Sequence, residues 1–335
     1  NNMPKVCMID IDGLTLSEIE HQILQHPLVG GVILFDKNFQ NQAQLLQLTA
    51  SIRAQRPDIL IAVDQEGGNI QRFKREGMHC AVAAKRIGDV YNIHAPAGLQ
   101  FAQQEAFAVS QQLRALGVTL NFVPVCDLHD PASTIIGRLD RAFAASPQVV
   151  ADLSAAYIDG MHRAHMPSVA KHFPGHGRVI LDSHIAQPSI DKSKTDIMQN
   201  DVYPFSQLIR QNKIDAVMAA HVIYPSIDPQ HAAGFSKIWL QEILREQLGF
   251  DGVIMSDCLS MKGADIGNLA TRAAKAMEAG CDMLIVCQQS RTDLLAFLEQ
   301  WQCPENHLSA ERIEVFLEKC TNGFHQILGS SLSCQ

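Results

Sequence analysis

The sequence predicts an α/β fold: a single TIM-like (β/α)8 barrel with an extra C-terminal helix. Three observations carry this. Eight short apolar runs, rich in β-branched residues, recur along the 335 residues. Stretches with helical spacing separate most of them. The apolar runs are continuous rather than alternating, which suits parallel strands covered on both faces.

The strand runs fall at residues 5–11, 31–35, 59–63, 119–125, 168–172, 216–221, 252–256 and 283–287. Helical spacing is clearest over 41–55, 99–116, 148–165, 237–248, 268–279 and 292–301, and the extra helix is expected near 309–327. Ser236 can cap the helix over 237–248 and Gly249 can end it. Irregular stretches are expected at 77–96, 129–147 and 174–195. A doubly wound open sheet is the rival, but no G-x-G-x-x-G follows the first strand. With no internal repeat and no interdomain linker, residues 1–335 read as one catalytic domain, and Asn1-Asn2 ahead of Met3 reads as an added remnant.

Composition narrows the function. Apolar residues at 47% supply a large core and exclude a mainly disordered chain. With 27 Lys and Arg against 35 Asp and Glu, the net charge of −8 speaks against a nucleic-acid partner. No apolar run approaches the ~18 residues of a bilayer span, and the N-terminus lacks a signal-peptide pattern, so no membrane partner is expected. The nine cysteines include no C-x-x-C. Cys7, Cys126, Cys258 and Cys287 lie in apolar runs and read as buried thiols, which points to a reducing, cytoplasmic setting.

Polar residues collect where strands end: Asp64 after 59–63, Asp127 after 119–125, Lys171-His172, His221, and Asp257 after 252–256. In a barrel these ends meet at the face where active sites are built. Asp257, at the mouth of an apolar barrel, can serve as nucleophile, base or metal ligand. A helix cap is the bland alternative. The segment from Lys171 to His184 holds His172, His176, His184 and Asp182. Helical H-x-x-x-H spacing is absent, because Pro174, Gly175 and Gly177 make it a loop, though a metal site built on loops stays open. The other reading is an acid–base pair: Asp182 beside His184 favours the imidazolium, which can donate a proton near neutrality and take one back. Asp64 with Lys171, Arg72 and Arg141 suits a hydroxyl-rich ligand, the carboxylate accepting and the cations donating hydrogen bonds. Gly67-Gly68 would let backbone approach a ligand closely.

The segments Asp64-Gln-Glu-Gly-Gly68, Gln71-Arg-Phe73, Lys171-His-Phe-Pro-Gly-His-Gly177 with Asp182-Ser-His184, and Ser256-Asp257 with Leu259-Ser-Met261 together resemble family 3 glycoside hydrolases. They are most similar to the bacterial cytoplasmic β-N-acetylglucosaminidases of cell-wall recycling, the NagZ type. The resemblance spans nearly the whole chain. It implies that Asp257 is the catalytic nucleophile, His184 the general acid/base and Asp182 its partner. It assigns Asp64, Arg72, Arg141, Lys171 and His172 to the terminal N-acetylglucosamine. The implied substrate is N-acetylglucosamine β-1,4-linked to 1,6-anhydro-N-acetylmuramic acid, with or without peptide, and no cofactor or metal is implied. Phosphorolysis, a metal-dependent barrel hydrolase and a non-catalytic sugar-binding barrel remain the alternatives. Two positions depart from the pattern. Asn69 stands where arginine is common, and Cys258 stands where a second aspartate is frequent; strand alternation is expected to turn Cys258 away from the sugar. The chain ends soon after its eighth expected strand, so the proton donor is expected from the barrel's own loops.

Overall fold

The structure, a computed structural model, describes residues 3–75, 77–180, 188–261, 264 and 266–332. Its strands, in chain order, are β1 Cys7–Asp10, β2 Val29–Leu34, β3 Leu60–Val63, β4 Gln65–Gly67, β5 Ile70–Gln71, β6 Leu120–Asn121, β7 Val169–Phe173, β8 Ala216–Ala219, β9 Ile223–Tyr224, β10 Asp228–Ala232, β11 Val253–Cys258 and β12 Met283–Val286. Eight of them form one sheet in the order β6-β3-β2-β1-β12-β11-β8-β7. Every pairing in it is parallel, with Ile9 opposite both Val32 and Val286, and Ala216 opposite both Val169 and Val253. The two outer strands then meet. Val125 bridges Lys171, Val169 donates its N–H to Val123 O at 2.8 Å, and Cys126 donates to Lys171 O at 2.7 Å. The sheet thereby closes into the expected barrel. All eight expected runs overlap one of its strands, with β2, β7 and β11 extending past the expected bounds.

The continuous apolar runs have the burial they predicted. Every residue of β1, β2, β3, β7, β8 and β12 is buried. Helices cover the outside. Gln42–Gln55 starts at Asn41, whose Oδ1 accepts from Gln44 N at 2.9 Å, and its Leu45, Leu48 and Ile52 pack inward at helical spacing. Each such buried side chain stabilises the fold by roughly 1.5–3 kcal/mol relative to an exposed one. Ser236 does serve as a cap: its Oγ accepts from Trp239 N at 3.1 Å, ahead of the helix Ile238–Gln247. Gly249, at φ +75°, ends that turn. The extra helix runs over His307–Leu332.

One stretch differs from expectation. Residues 77–96 are not irregular throughout, since a helix spans Ala84–Ile93 and another begins at Ala95 and runs to Ala115. The first lacks a side-chain cap at Ala83 and carries Gly88 mid-helix, which lowers its helical signal. Gly88 is there for packing: a Cβ at that position would come 1.6 Å from Phe143 O. The run at 119–125 is also mostly not regular strand. It is ladder-paired only at Leu120–Asn121, and Pro124 has no N–H to extend the pairing.

Candidate active site

The site is assembled where β3, the 123–127 segment, β7, β8 and β11 end. The turn after β3 is held by Gln65. Its N–H donates to Asn121 Oδ1 at 3.0 Å, and its side-chain Oε1 accepts from Arg72 N at 2.8 Å. This brings β4 and β5 back as a hairpin and sets Asp64, Glu66 and Arg72 on the cavity. Gly67 (φ +117°) and Gly68 (φ +56°) do not line that cavity. A Cβ on Gly67 would meet Val82 O at 2.2 Å, so their freedom serves close packing against backbone rather than the ligand approach expected of them.

A cavity of about 250 Å³ opens at these strand ends. Asp64, Arg72, Arg141, Lys171, His172 and Asp257 all line it, with Glu66 and His176. Apolar residues including Ile33, Phe122, Met218 and Ile285 line it as well. It lies at the small end of ligand pockets, which run from ~300 Å³ upward, and suits one sugar ring rather than a chain. The five sequence candidates other than Asp257 and the acid–base pair are charged or polar groups that need partners in such a place, and the structure supplies them. Lys171, 2% exposed, donates to Asp64 Oδ1 at 2.9 Å and lies 2.8 Å from Glu66 Oε1. Arg141 grips Glu66 with both forks, Nε to Oε2 at 2.9 Å and Nη2 to Oε1 at 2.8 Å. Burial works to raise the Glu66 pKa, but Lys171 and Arg141 outweigh it and hold the carboxyl well below the usual range. Burial works to lower Lys171, and Asp64 and Glu66 carry it above its ordinary value. Arg72 reaches Asp64 at 4.0 Å and stacks over the Phe35 ring at 5.6 Å.

His172 is oriented by a buried partner. Its Nδ1 lies 2.7 Å from Asp127 Oδ2, which leaves Nε2 as the other ring nitrogen for a ligand. The other Asp127 oxygen accepts the backbone N–H groups of His172 at 3.1 Å and His176 at 2.7 Å. Burial opposes ionisation of Asp127, while His172 and these hydrogen bonds more than offset it and keep its pKa low. His176 is buried, and burial pulls its pKa down toward the neutral imidazole. Asp257 is the residue before the last of β11, partly exposed. Its Oδ1 accepts from Cys258 N at 2.8 Å, and its carbonyl lies 3.0 Å from His221 Nε2. Burial works against the charged form of Asp257, but His172 and His221 dominate and its pKa is lowered.

Asp182 and His184 lie outside the described residues. On either side the chain is anchored. Arg178 is paired with Asp201 and Asp196, Tyr224 donates to Gly175 O at 2.6 Å, and Ile190 donates to Ile223 O at 3.0 Å. Cys258 corrects the sequence reading twice. It is half-buried rather than buried, and it lines the cavity beside Asp257 instead of facing away, because β11 gives up its regular register with β12 between Met255 and Cys258. Glu66 was not singled out by the sequence, and Asp127 was named as a strand-end residue without a role. Glu66 could have been found as the residue two along from Asp64, on the same side of an extended chain. A larger cavity, about 830 Å³ beside β10, has its charges matched locally, Lys237 with Glu278 at 3.3 Å and His231 with Asp228 at 3.1 Å. Among the described residues no cluster of three or more His, Cys, Asp or Glu could hold a metal ion, and no helix is long and apolar enough to cross a membrane.

A closed parallel barrel with a small cavity lined by charged side chains at its C-terminal face has the layout of a barrel enzyme. Residues 3–316 match the glycosyl hydrolase family 3 N-terminal domain. The β-hexosaminidase of Bordetella avium is 47% identical over 293 residues, 87% of this chain and 82% of that protein. That of Haemophilus influenzae is 43% identical over 301 residues, 89% of this chain and 84% of that one. The crystal structure of NagZ from Neisseria gonorrhoeae in complex with N-trifluoroacetyl-D-glucosamine superposes with a TM-score of 0.86 at 39% identity, covering 96% of this chain and 93% of that one. The chain belongs to glycosyl hydrolase family 3, and within it is a β-N-acetylhexosaminidase.

Proposed function

We propose that this protein is a retaining exo-β-N-acetylglucosaminidase that removes terminal β-1,4-linked N-acetylglucosamine from 1,6-anhydro-muropeptides during peptidoglycan recycling in the cytoplasm. The observation that carries the reading is the placement of Asp257, held ionised, in a cavity sized for a single ring. The likeness to a NagZ bound to N-trifluoroacetyl-D-glucosamine supports the choice of sugar. In this reading Asp64 accepts hydroxyl protons of the ring, while Lys171, Arg72, Arg141 and His172 donate to its oxygens. Arg141 is tied to Glu66 by both forks, so its share is to fix Glu66 and Lys171 as much as to touch sugar.

Asp257 attacks the anomeric carbon from below. His184, as imidazolium paired with Asp182, protonates the departing oxygen, and a glycosyl-enzyme forms with inversion. Water, deprotonated by the now neutral His184, then releases the sugar with a second inversion. One barrel, residues 1–335, supplies every group, with the acid/base in the sequence that follows β7. Because the Asp257 pKa is lowered, the acid limb of kcat/KM lies below the ordinary Asp value of about 3.9.

The experiment is chromophore release from aryl N-acetyl-β-glucosaminides of graded leaving-group pKa. Asp257→Ala removes turnover on all of them. His184→Ala slows the poor leaving groups far more than the activated ones. Equal loss across the series removes His184 as the acid, and retained turnover in Asp257→Ala removes the nucleophile.

A further inference from the structure

The cavity wall beside Asp257 contains chemistry that glycoside cleavage does not use. Cys258 and Cys287 come from adjacent parallel strands, Cys258 closing β11 opposite Ile285 and Cys287 following the last residue of β12. Both line the cavity. Cys258 is partly exposed and Cys287 is 2% exposed. Each side chain shifts the acidity of the other, Cys287 lowering Cys258 and Cys258 raising Cys287. The Cys258 sulfur lies 2.9 Å from Ser260 Oγ. A hydroxyl thus stands within hydrogen-bond reach of the more accessible of two neighbouring cysteines, an arrangement that favours a thiolate.

We propose that Cys258 and Cys287 form a thiol–disulfide exchange site in the wall of the catalytic cavity, taking small disulfides as its reactants and closing the site when oxidised. Accessibility assigns the roles. The Cys258 thiolate attacks one sulfur of a small disulfide RS–SR. A Cys258–S–S–R bond forms, the RS–SR bond breaks, and RS⁻ leaves and is protonated by water. Cys287 then gives its proton to solvent and attacks the Cys258 sulfur, forming Cys258–S–S–Cys287 and expelling the second RS⁻. Two protein thiols are oxidised and one small disulfide is reduced to two thiols.

The acid–base character agrees with these roles. Interaction with the Cys287 side chain, ahead of the opposing effect of burial, helps hold Cys258 at about 7, while interaction with Cys258 and burial push Cys287 well above the ordinary thiol value. A thiol with that pKa is about half ionised at neutrality. Its lower intrinsic nucleophilicity cuts the advantage over an ordinary thiol to about threefold. Rate alone therefore does not identify the site, and the position of the new bond does. Function follows from adjacency: the Cys258 N–H donates to Asp257 Oδ1 at 2.8 Å, so a substituent or crosslink on Cys258 alters both the cavity wall and a contact of the proposed nucleophile.

The test treats the full chain, with Cys80, Cys303 and Cys334 replaced by serine, with bis(2-hydroxyethyl) disulfide at neutral pH. Bonds are mapped by mass spectrometry and aryl-glucosaminidase activity is followed in parallel. The expected result is a Cys258–Cys287 crosslinked peptide, a tenfold or greater loss of activity on the same time course, and recovery with dithiothreitol, taking tenfold as the order of magnitude of a lost charge-assisted contact. In Cys287→Ser the reaction stops at a mixed disulfide on Cys258. In Cys258→Ser neither product forms, and treatment changes that variant's own activity little. Cys258 still alkylable after treatment, a crosslink elsewhere, or equal sensitivity in Cys258→Ser overturns the proposal. Bond mapping in Asp257→Ala needs no turnover. A crosslink there without any activity in the parent chain would count against the glycosidase reading and leave the thiol site standing.

Discussion

Glu66 accepts both forks of Arg141 and the ammonium of Lys171 within a nearly buried wall, 5% exposed at its side chain. Replacing it with glutamine takes the carboxylate from Arg141 and leaves Lys171 with Asp64 alone, and breaking a buried pair in this way costs about 3–5 kcal/mol. Urea unfolding of Glu66→Gln is expected to show that loss at neutral pH. The sign with pH follows from the depressed pKa. The contribution is fully present above the unfolded carboxyl value of about 4.3 and is lost as pH falls through the lower folded value. The stability gap between wild type and Glu66→Gln should therefore narrow in acid below about pH 4. A gap that is constant with pH would mean Glu66 is not held ionised by its neighbours. At this scale the sequence exposed the residues that stand at strand ends, Asp64, Lys171, His172 and Asp257. It did not expose Glu66, and it gave Asp127 a place at a strand end but no role, because their importance lies in partners 75 and 45 positions away along the chain. Nor did it give the direction of Cys258, which depends on a local irregularity in β11.

The hairpin of β4 and β5 is the element that carries Asp64, Glu66 and Arg72, and its turn depends on Gly67. At φ +117°, with Val82 O 2.2 Å from where a Cβ would stand, Gly67→Ala has no backbone conformation that avoids both strain and collision. The expected cost is about 2 kcal/mol or more, read as a lowered urea midpoint. Displacement of Arg72 should raise KM along with it. An unchanged midpoint would show that the hairpin gives way without penalty. Elements were readable where local signals agreed, as in Gln42–Gln55 with Asn41 at its start. The helix Glu18–Gln25 was not among the expected helices, although its start is marked by a Ser17-x-x-Glu20 capping box in which Ser17 N donates to Glu20 Oε1 at 2.9 Å. Ala84–Ile93 was not expected either. It has no cap residue, and its central Gly88 answers to the backbone of Phe143 rather than to helix propensity.

For the whole molecule, parallel pairing around a closed ring makes all strands end on one face. That brings residues 64, 127, 171, 172, 221 and 257 together from stretches that share no local signal. The barrel was legible because strands covered on both faces must be apolar throughout, and that pattern survives without any tertiary information. Its closure was less so. The 123–126 segment completes the ring through Val125 and Lys171 with hardly any regular strand. The same closure fixes the Lys171 backbone, and through it the ammonium that joins Asp64 to Glu66. The account thus ties one barrel to one small cavity with a single carboxylate below the anomeric carbon. Its most direct test is to trap the covalent intermediate with a fluorinated N-acetylglucosaminyl fluoride, whose glycosyl-enzyme turns over slowly, and to map the modified peptide by mass spectrometry. The account predicts one sugar per chain, attached to Asp257 and absent from Asp257→Ala. A label on Asp64 or any other residue, or steady turnover with no label, would contradict it.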